Sequence, residues 1–348
     1  MKTFYSPVHL DHDPQVQFEA GHLLPAVEIP VRVEKVRVAL QGRSIGPIVP
    51  PTPFDDAAIL AVHDAGLVGL LAEAWDEWTK RYGKDAAVAI PSSWPAPGLH
   101  VRHHDGGRKD DIESRLGRYA FSSDSPIARG TWVAAREAVN VALSAAAAIK
   151  NGEESVFALT RPPGHHASHD VFGGFCYLNN AAIAAAWLAK AGLKTAILDV
   201  DYHHGNGTQS IFYQRSDVFF CSIHADPAFA YPHYIGFADE RGEADGEGFN
   251  LNLPLPLGTD WARYDEALKF AIGAVKHMDP DVVVVSLGLD TYIEDPIAGF
   301  RLKSADYLRL GARLAELHKP VLFLFEGGYC FDALGELTVN VLESFQGA

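Results

Sequence analysis

Five short runs of the chain are apolar through their middles without a polar residue at every second place. They are "SVFALTRP" (155–162), "KTAILDVDYH" (194–203), "DVFFCSIHAD" (217–226), "DVVVVSLGLD" (281–290) and "PVLFLFEGGY" (320–329). A strand with one wet face alternates; a continuous apolar run predicts a strand covered on both faces. Four longer stretches read as helices: "TWVAAREAVNVALSAAAAIKNG" (131–152), "NNAAIAAAWLAKAGL" (179–193), "WARYDEALKFAIGAVKHM" (261–278) and "SADYLRLGARLAELH" (304–318), the last with Ser304 as its N-cap. Strand, helix and strand in repetition predict a three-layer α/β fold with a central, mostly parallel sheet. No linker or repeat divides the pattern, so residues 1–348 are expected to form one domain. Two stretches lack periodicity and read as irregular: residues 1–35, and a loop-rich insertion at about 82–130.

Composition adds limits. The chain has 348 residues, 48% of them hydrophobic, which is enough for a large core. There is no run of 18 apolar residues, and the start "MKTFYSPVHLDHDPQ" lacks the apolar centre of a secretory signal. The expectation is no membrane span and a cytoplasmic protein. Cys176, Cys221 and Cys330 show no CxxC spacing and read as reduced thiols. Acidic side chains outnumber basic ones 44 to 29, a formal net charge of −15. That balance disfavours nucleic acid and favours cationic ligands, although a negative surface also serves solubility alone.

Chemistry collects where the strands end. The five runs finish in "TRPPGHH", "DVDYHHGNG", "SIHAD", "GLD" and "EGGY". In open α/β sheets, ligands bind at the carboxyl ends of strands. Asp199, Asp201 and His203 share one parity, so Asp201 and His203 can converge on a metal. A catalytic zinc needs a third protein ligand and an open position. Asp290 can supply that ligand, or it can cap the segment after its strand. His165 and His166 follow a rigid Pro-Pro-Gly turn and suit a general base with an electrostatic partner. Asp199 and Asn206 can orient them. Tyr329 follows two glycines and can donate to an oxyanion, or simply pack in the core. Cys176 has apolar neighbours and reads as core. His103, His104 and His233 have no ligand spacing.

These motifs are in a familiar order. "RPPGHHA", "GGFCYLNNAAIAA", "ILDVDYHHGNGTQ", "VVVSLGLDT" and "EGGY" resemble the zinc-dependent deacetylases of the arginase/deacetylase fold, which include histone deacetylases and bacterial acetylpolyamine amidohydrolases. The N-terminal third is most similar to the acetylpolyamine branch. The resemblance implies one Zn2+ per chain, with Fe2+ as the alternative, on Asp201, His203 and Asp290. It implies His166 as general base, His165 with Asp199 as its electrostatic partner, and Tyr329 as oxyanion donor. Asn206 stands where some members have Asp, which should make His166 less basic. A structural K+ is implied at Asp199, Asp201, His203, Ser222 and Ile223. Phe175 and Tyr231 would wall a substrate tunnel beside Gly174. Glu113 and Asp124 match, in spacing, two acids that contact cationic polyamine. The 82–130 segment matches the loop that builds a homodimer and narrows the entrance. The expected substrate is a small cationic acetylated amine, and the runner-up is acetyl-lysine in a protein.

Two other readings are weaker. An arginase-like binuclear hydrolase needs bridging carboxylates, yet Gly205 follows His203 at two residues, and Gly288 and Tyr292 flank Asp290. A non-catalytic binding protein would lack Tyr329, His166 or a metal ligand, and all are present.

Overall fold

A computed structural model of the chain describes residues 1–19, 21–83, 87–95 and 111–348. Its strands are β1 (Lys2–Phe4), β2 (Val16–Glu19), β3 (His22–Pro25), β4 (Ile48–Val49), β5 (Ser155–Ala158), β6 (Thr195–Asp199), β7 (Val218–Ala225), β8 (Asn250–Leu255), β9 (Val282–Leu287) and β10 (Val321–Phe325). Its helices are α1 (Val31–Gly42), α2 (Ala57–Leu60), α3 (Ala65–Tyr82), α4 (Ile112–Tyr119), α5 (Thr131–Lys150), α6 (Asn180–Lys190), α7 (Asn206–Phe212), α8 (Trp261–Met278), α9 (Ser304–Ala315) and α10 (Phe331–Gly347). Eight strands form one sheet in the order β4-β1-β5-β10-β9-β6-β7-β8. Every pairing in it is parallel. The strands β2 and β3 form a separate antiparallel hairpin.

The continuous apolar runs are explained by helices on both faces. Along β9, Val282 and Val284 pack with α5 and α6, while Val283 and Val285 pack with α1, α8, α9 and α10. The helix α5 is long and apolar enough to cross a membrane by length and composition, but its buried residues form part of the first of these cores. The order of strands in the sheet places β5, β10, β9 and β6 side by side, so four of the chemistry-bearing strand ends meet at the centre of one sheet edge.

The first 35 residues are not irregular. They supply β1, a 3-10 turn at Pro7–Asp11, the β2–β3 hairpin and the start of α1. These elements are too short for periodicity to show. The strand β8 is also additional; in its sequence NLNLPL, Asn250 and Asn252 are buried and both donate to Gln209. The 82–130 segment contains α4, capped by Asp111, whose side chain accepts from the Glu113 N–H. His103 and His104 lie outside the described residues. Ser304 is the first helical residue of α9 rather than its cap. Lys303 holds the cap position, and its N–H donates to Asp306 at 2.8 Å.

Phe323 is fully buried on β10, with its ring 5.0 Å from that of Phe345. Phe323→Ala is expected to destabilise the fold by about 3–5 kcal/mol. Phe270→Ala, on the exposed face of α8, should change it by less than about 0.5 kcal/mol. The midpoint of urea unfolding checks both.

Candidate active site

The parity of β6 continues beyond its last residue. Ala196, Leu198, Val200 and Tyr202 pack in one core, which turns Asp199, Asp201 and His203 the other way. The strand ends at Asp199, so Asp201 and His203 lie just past it in a segment shaped by side-chain-to-backbone bonds. Asp199 accepts from the Asp201 N–H at 3.1 Å, and Asp201 accepts from the His203 N–H at 2.9 Å. Asp290, beyond β9, accepts from the Tyr202 N–H at 2.9 Å. Asp201 also accepts from the Gly327 N–H at 2.8 Å.

These bonds bring one ligand atom each from Asp201, His203 and Asp290 within 4.8 Å of one another. His203 Nδ1 lies 2.9 Å from Asp290 Oδ2 and 3.4 Å from Asp201 Oδ1. Glycine is required around this point. A Cβ on Gly288 would meet Asp201 Oδ2 at 2.1 Å, and one on Gly327 would meet both carboxylates at 2.5 Å.

The electrostatics call for a cation. Both carboxylates are fully buried. Burial and the Asp201 charge push Asp290 up to about 7. Burial also opposes ionisation of Asp201, but His165 and His203 outweigh it and hold Asp201 well below the usual range. His203 is drawn up to about 10, against burial, by its bonds to both carboxylates. Two buried carboxylates and an imidazole, opening onto a cavity, fit a divalent ion that would replace that proton.

The adjacent histidines divide by environment. His165 Nδ1 lies 3.0 Å from Asp199 Oδ2 and His165 Nε2 is 3.8 Å from Asp201 Oδ1. Burial opposes its charge, but Asp201, Asp199 and Glu326 raise it to about 10. His166 Nδ1 lies 2.6 Å from Asn206 Oδ1. Burial, then the charges of His165 and His203, push His166 well below its ordinary value. The two adjacent rings are thus shifted in opposite directions, His165 toward its protonated form and His166 toward its neutral one.

A cavity of about 180 Å³ joins these groups. His166, Asp201, His203 and Tyr329 lie at it, with Phe175, Tyr231, Gly174 and Asp124 in its walls. The Tyr231 ring is 5.1 Å from His166, and Phe175 is 5.6 Å from Tyr329. Gly174 and Phe175 are both left-handed, at φ +59° and +64°. Such a conformation is rare for phenylalanine. Their N–H groups are held by Asp124 Oδ1 at 2.8 Å and Ser125 Oγ at 2.7 Å. Asp124 Oδ1 also accepts from Ser122 at 2.6 Å and Ser125 at 2.9 Å, and burial raises its pKa. A wider hollow of about 890 Å³ along α7 and residues 234–240 contains none of the proposed metal ligands or the paired histidines.

The remaining candidates are elsewhere. Glu113, on α4, pairs with Arg81 at 3.3 Å and is not among the cavity's lining residues. Ser222 sits opposite Asp199 across the β6–β7 register, with Ile223 next to it, and Ser222 Oγ contacts His224 Nδ1 at 2.8 Å. Cys176 is buried, and burial raises its thiol pKa, as suits a core residue.

Sequence reasoning missed Glu326 and Asp295. Glu326 accepts from the Gly164 and His165 N–H groups at 2.7 and 3.3 Å, fixing the histidine turn. Asp295 accepts from the Tyr329 N–H at 2.7 Å. Glu326 lies inside the quoted "EGGY", so its motif could have pointed to it; Asp295 carried no such signal.

Comparison with known proteins agrees with this geometry. Residues 26–345 match the family model described as histone deacetylase domain. The chain belongs to that family. It is 44% identical over 348 residues to acetylpolyamine amidohydrolase 2 of Pseudomonas aeruginosa, covering all of this chain and 99% of the relative. It is 40% identical over 348 residues to the acetylpolyamine amidohydrolase of Mycoplana ramosa, covering all of both. A crystal structure of the acetylpolyamine aminohydrolase from Burkholderia pseudomallei superposes with a TM-score of 0.93 at 36% identity, covering 99% of this chain and 98% of that one. Within the family, this chain's metal-dependent hydrolase chemistry is of the deacetylase type, with a single three-residue metal site among the described residues.

A Cβ on Gly174 would meet His166 Cδ2 at 2.3 Å, at a backbone angle that disfavours one. Gly174→Ala is expected to lower kcat/KM by about ten-fold or more while leaving the bound metal in place. Steady-state rates and metal analysis of the same preparation check it.

Proposed function

We propose that the chain is a zinc-dependent amidohydrolase that removes acetyl groups from small cationic amines, acetylated polyamines in particular. The observation that carries this reading is the convergence of Asp201, His203 and Asp290 with His166 and Tyr329 at one narrow, aromatic-walled cavity. The names of the relatives support the substrate class, and the excess of 44 acidic over 29 basic side chains suits a polycation.

Asp201, His203 and Asp290 would hold the divalent ion, which supplies Lewis-acid polarisation and a more acidic water. The chain's own residues do the rest. Phe175 and Tyr231 flank a slender methylene chain and exclude water from it. His166 is a neutral base, aimed by Asn206, and takes a proton from the attacking water. The Tyr329 hydroxyl, kept protonated chiefly by burial, donates to the carbonyl oxygen as it gains charge. The imidazolium of His165, held by Asp199, adds positive charge beside that centre. A protonated histidine returns the proton to the departing amine, giving acetate and free amine. A K+ beside β6 and β7 at Asp199, Asp201, His203, Ser222 and Ile223, and a homodimer built on the 82–130 segment, belong to the same proposal. Its residues 84–86 and 96–110 lie outside the described ones.

Acetate release from acetylputrescine and acetylcadaverine, compared with acetyl-lysine peptides, tests the substrate. The short amines should be preferred by about ten-fold or more in kcat/KM. Preference for peptides would favour the protein-deacetylase alternative, and release from neither would overturn the activity.

The neutral partner behind His166 gives a pH prediction. A carboxylate there stabilises the imidazolium and raises the pKa of the base, so as pH falls its active neutral form is protonated sooner. In Asn206→Asp, the acid limb of the kcat/KM profile should move up by about one unit or more.

A further inference from the structure

Tyr329 is joined to a buried charge cluster that neither the metal nor the histidine pair uses. The Arg32 guanidinium, on α1, is fully buried and lies 4.6 Å from the centre of the Tyr329 ring. Its three nitrogens face three fixed acceptors. Nε donates to the Gly328 carbonyl at 2.6 Å, Nη2 to the Glu326 carbonyl at 2.5 Å, and Nη1 to Glu28 Oε1 at 2.7 Å. The first two acceptors belong to the Glu326–Tyr329 segment itself. Gly327 and Gly328 give that segment no side chains with which to fix itself, and Gly328 stands at φ +125°. The Gly327 peptide is held by Asp201 on its N–H and by the Leu289 N–H on its carbonyl; the place of the phenol then depends on Asp295 at the Tyr329 N–H and on Arg32 at the Glu326 and Gly328 carbonyls.

Arg32 in turn depends on Glu28. That carboxylate is 2% exposed, and its Oε1 accepts from a second guanidinium, Arg161 Nε, at 2.8 Å. Arg161 is itself anchored on the carbonyls of His9 and His12 at 2.7 and 2.6 Å and on that of Glu28 at 3.0 Å. Glu28 Oε2 has no hydrogen-bond donor among the described residues, and His12 Nε2 lies 3.5 Å from it. One carboxylate thus faces two buried guanidinium groups. Removing its charge leaves two like charges without a counter-ion. A carboxylate pinned by Arg161 fixes Nη1 of Arg32 in one direction, and the planar guanidinium transmits that direction to the other two nitrogens.

We propose that Glu28 is a positioning residue for the reaction: through Arg32 it sets the place of the Tyr329 hydroxyl. The inference rests on the reading of Tyr329 as oxyanion donor. It gives a chemical task to the N-terminal segment, which contributes none of the cavity's lining residues itself.

A double-mutant cycle on an acetylated diamine tests it, with metal content and unfolding midpoint measured on each variant. Tyr329→Phe should lower kcat by about 10²–10³. Glu28→Gln should lower kcat by about ten-fold or more, with KM changed less than about three-fold and metal retained. In the Tyr329→Phe background, Glu28→Gln should cost less than about two-fold, because its effect passes through a hydroxyl no longer there. Equal losses in both backgrounds, or full activity in Glu28→Gln, would overturn the proposal. If Glu28→Gln does not fold, Glu28→Asp keeps the charge, withdraws the carboxylate by one methylene, and enters the same cycle. Full activity of Tyr329→Phe alone would instead refute the role of Tyr329, so the two failures are told apart.

Discussion

Two carboxylates, Asp201 and Asp290, are buried side by side at the ends of the neighbouring strands β6 and β9. Burying unpaired charge is costly, and two of one sign at one point cannot both be ionised without a cation between them. The centre of the molecule is arranged around this constraint. The sheet places the two strand ends together. Backbone N–H groups of Gly327, Tyr202 and His203 fix the carboxylate oxygens. Gly288 and Gly327 leave the space that a side chain would fill. His203 completes a donor set of two oxygens and one nitrogen, suited to zinc with a position left for substrate or water.

The same negative charge separates the two histidines. His165 lies next to Asp199 and Asp201, which favour its protonated form, whereas His166, one residue on, has the neutral Asn206 behind it and is held toward its neutral form chiefly by burial. The acceptor behind each ring thus helps set the direction in which its basicity is shifted. A further ring of buried groups keeps these parts in place. Glu326 holds the histidine turn and Asp295 the tyrosine turn. The Glu28, Arg32 and Arg161 cluster connects both turns to the first 35 residues.

Much of this was legible in the residues. The runs ending in "DVDYHHGNG", "GLD", "TRPPGHH" and "EGGY" predict strands, and each strand starts within two residues of its run. Strand parity gives Asp201 and His203, the family resemblance adds Asp290 and the two histidine–acceptor pairs, and the coordinates bring those residues together. What stayed hidden has a physical reason. The strands β1 and β4 are three and two residues long, too short for a period, so their share in the sheet comes from pairing with β5 and with each other. Glu28 and Arg32 lie in the stretch expected to be irregular and drew no assignment, because burial of a charged residue depends on a partner far away in the chain, 296 positions for Arg32 and Gly328. Asp124 was expected as an acid that contacts a cationic amine; its place in the cavity wall and its engagement with Ser122, Ser125 and the Gly174 N–H depend on a loop conformation that no spacing rule encodes.

The central claim is that the buried carboxylate pair exists to hold one catalytic cation. It is tested most directly by stripping the protein with a chelator and titrating zinc back while acetate release is followed. Activity should be absent without metal and should rise linearly to a plateau at one equivalent per chain. Acetate release from the metal-free protein, or a plateau only at two equivalents, would contradict it.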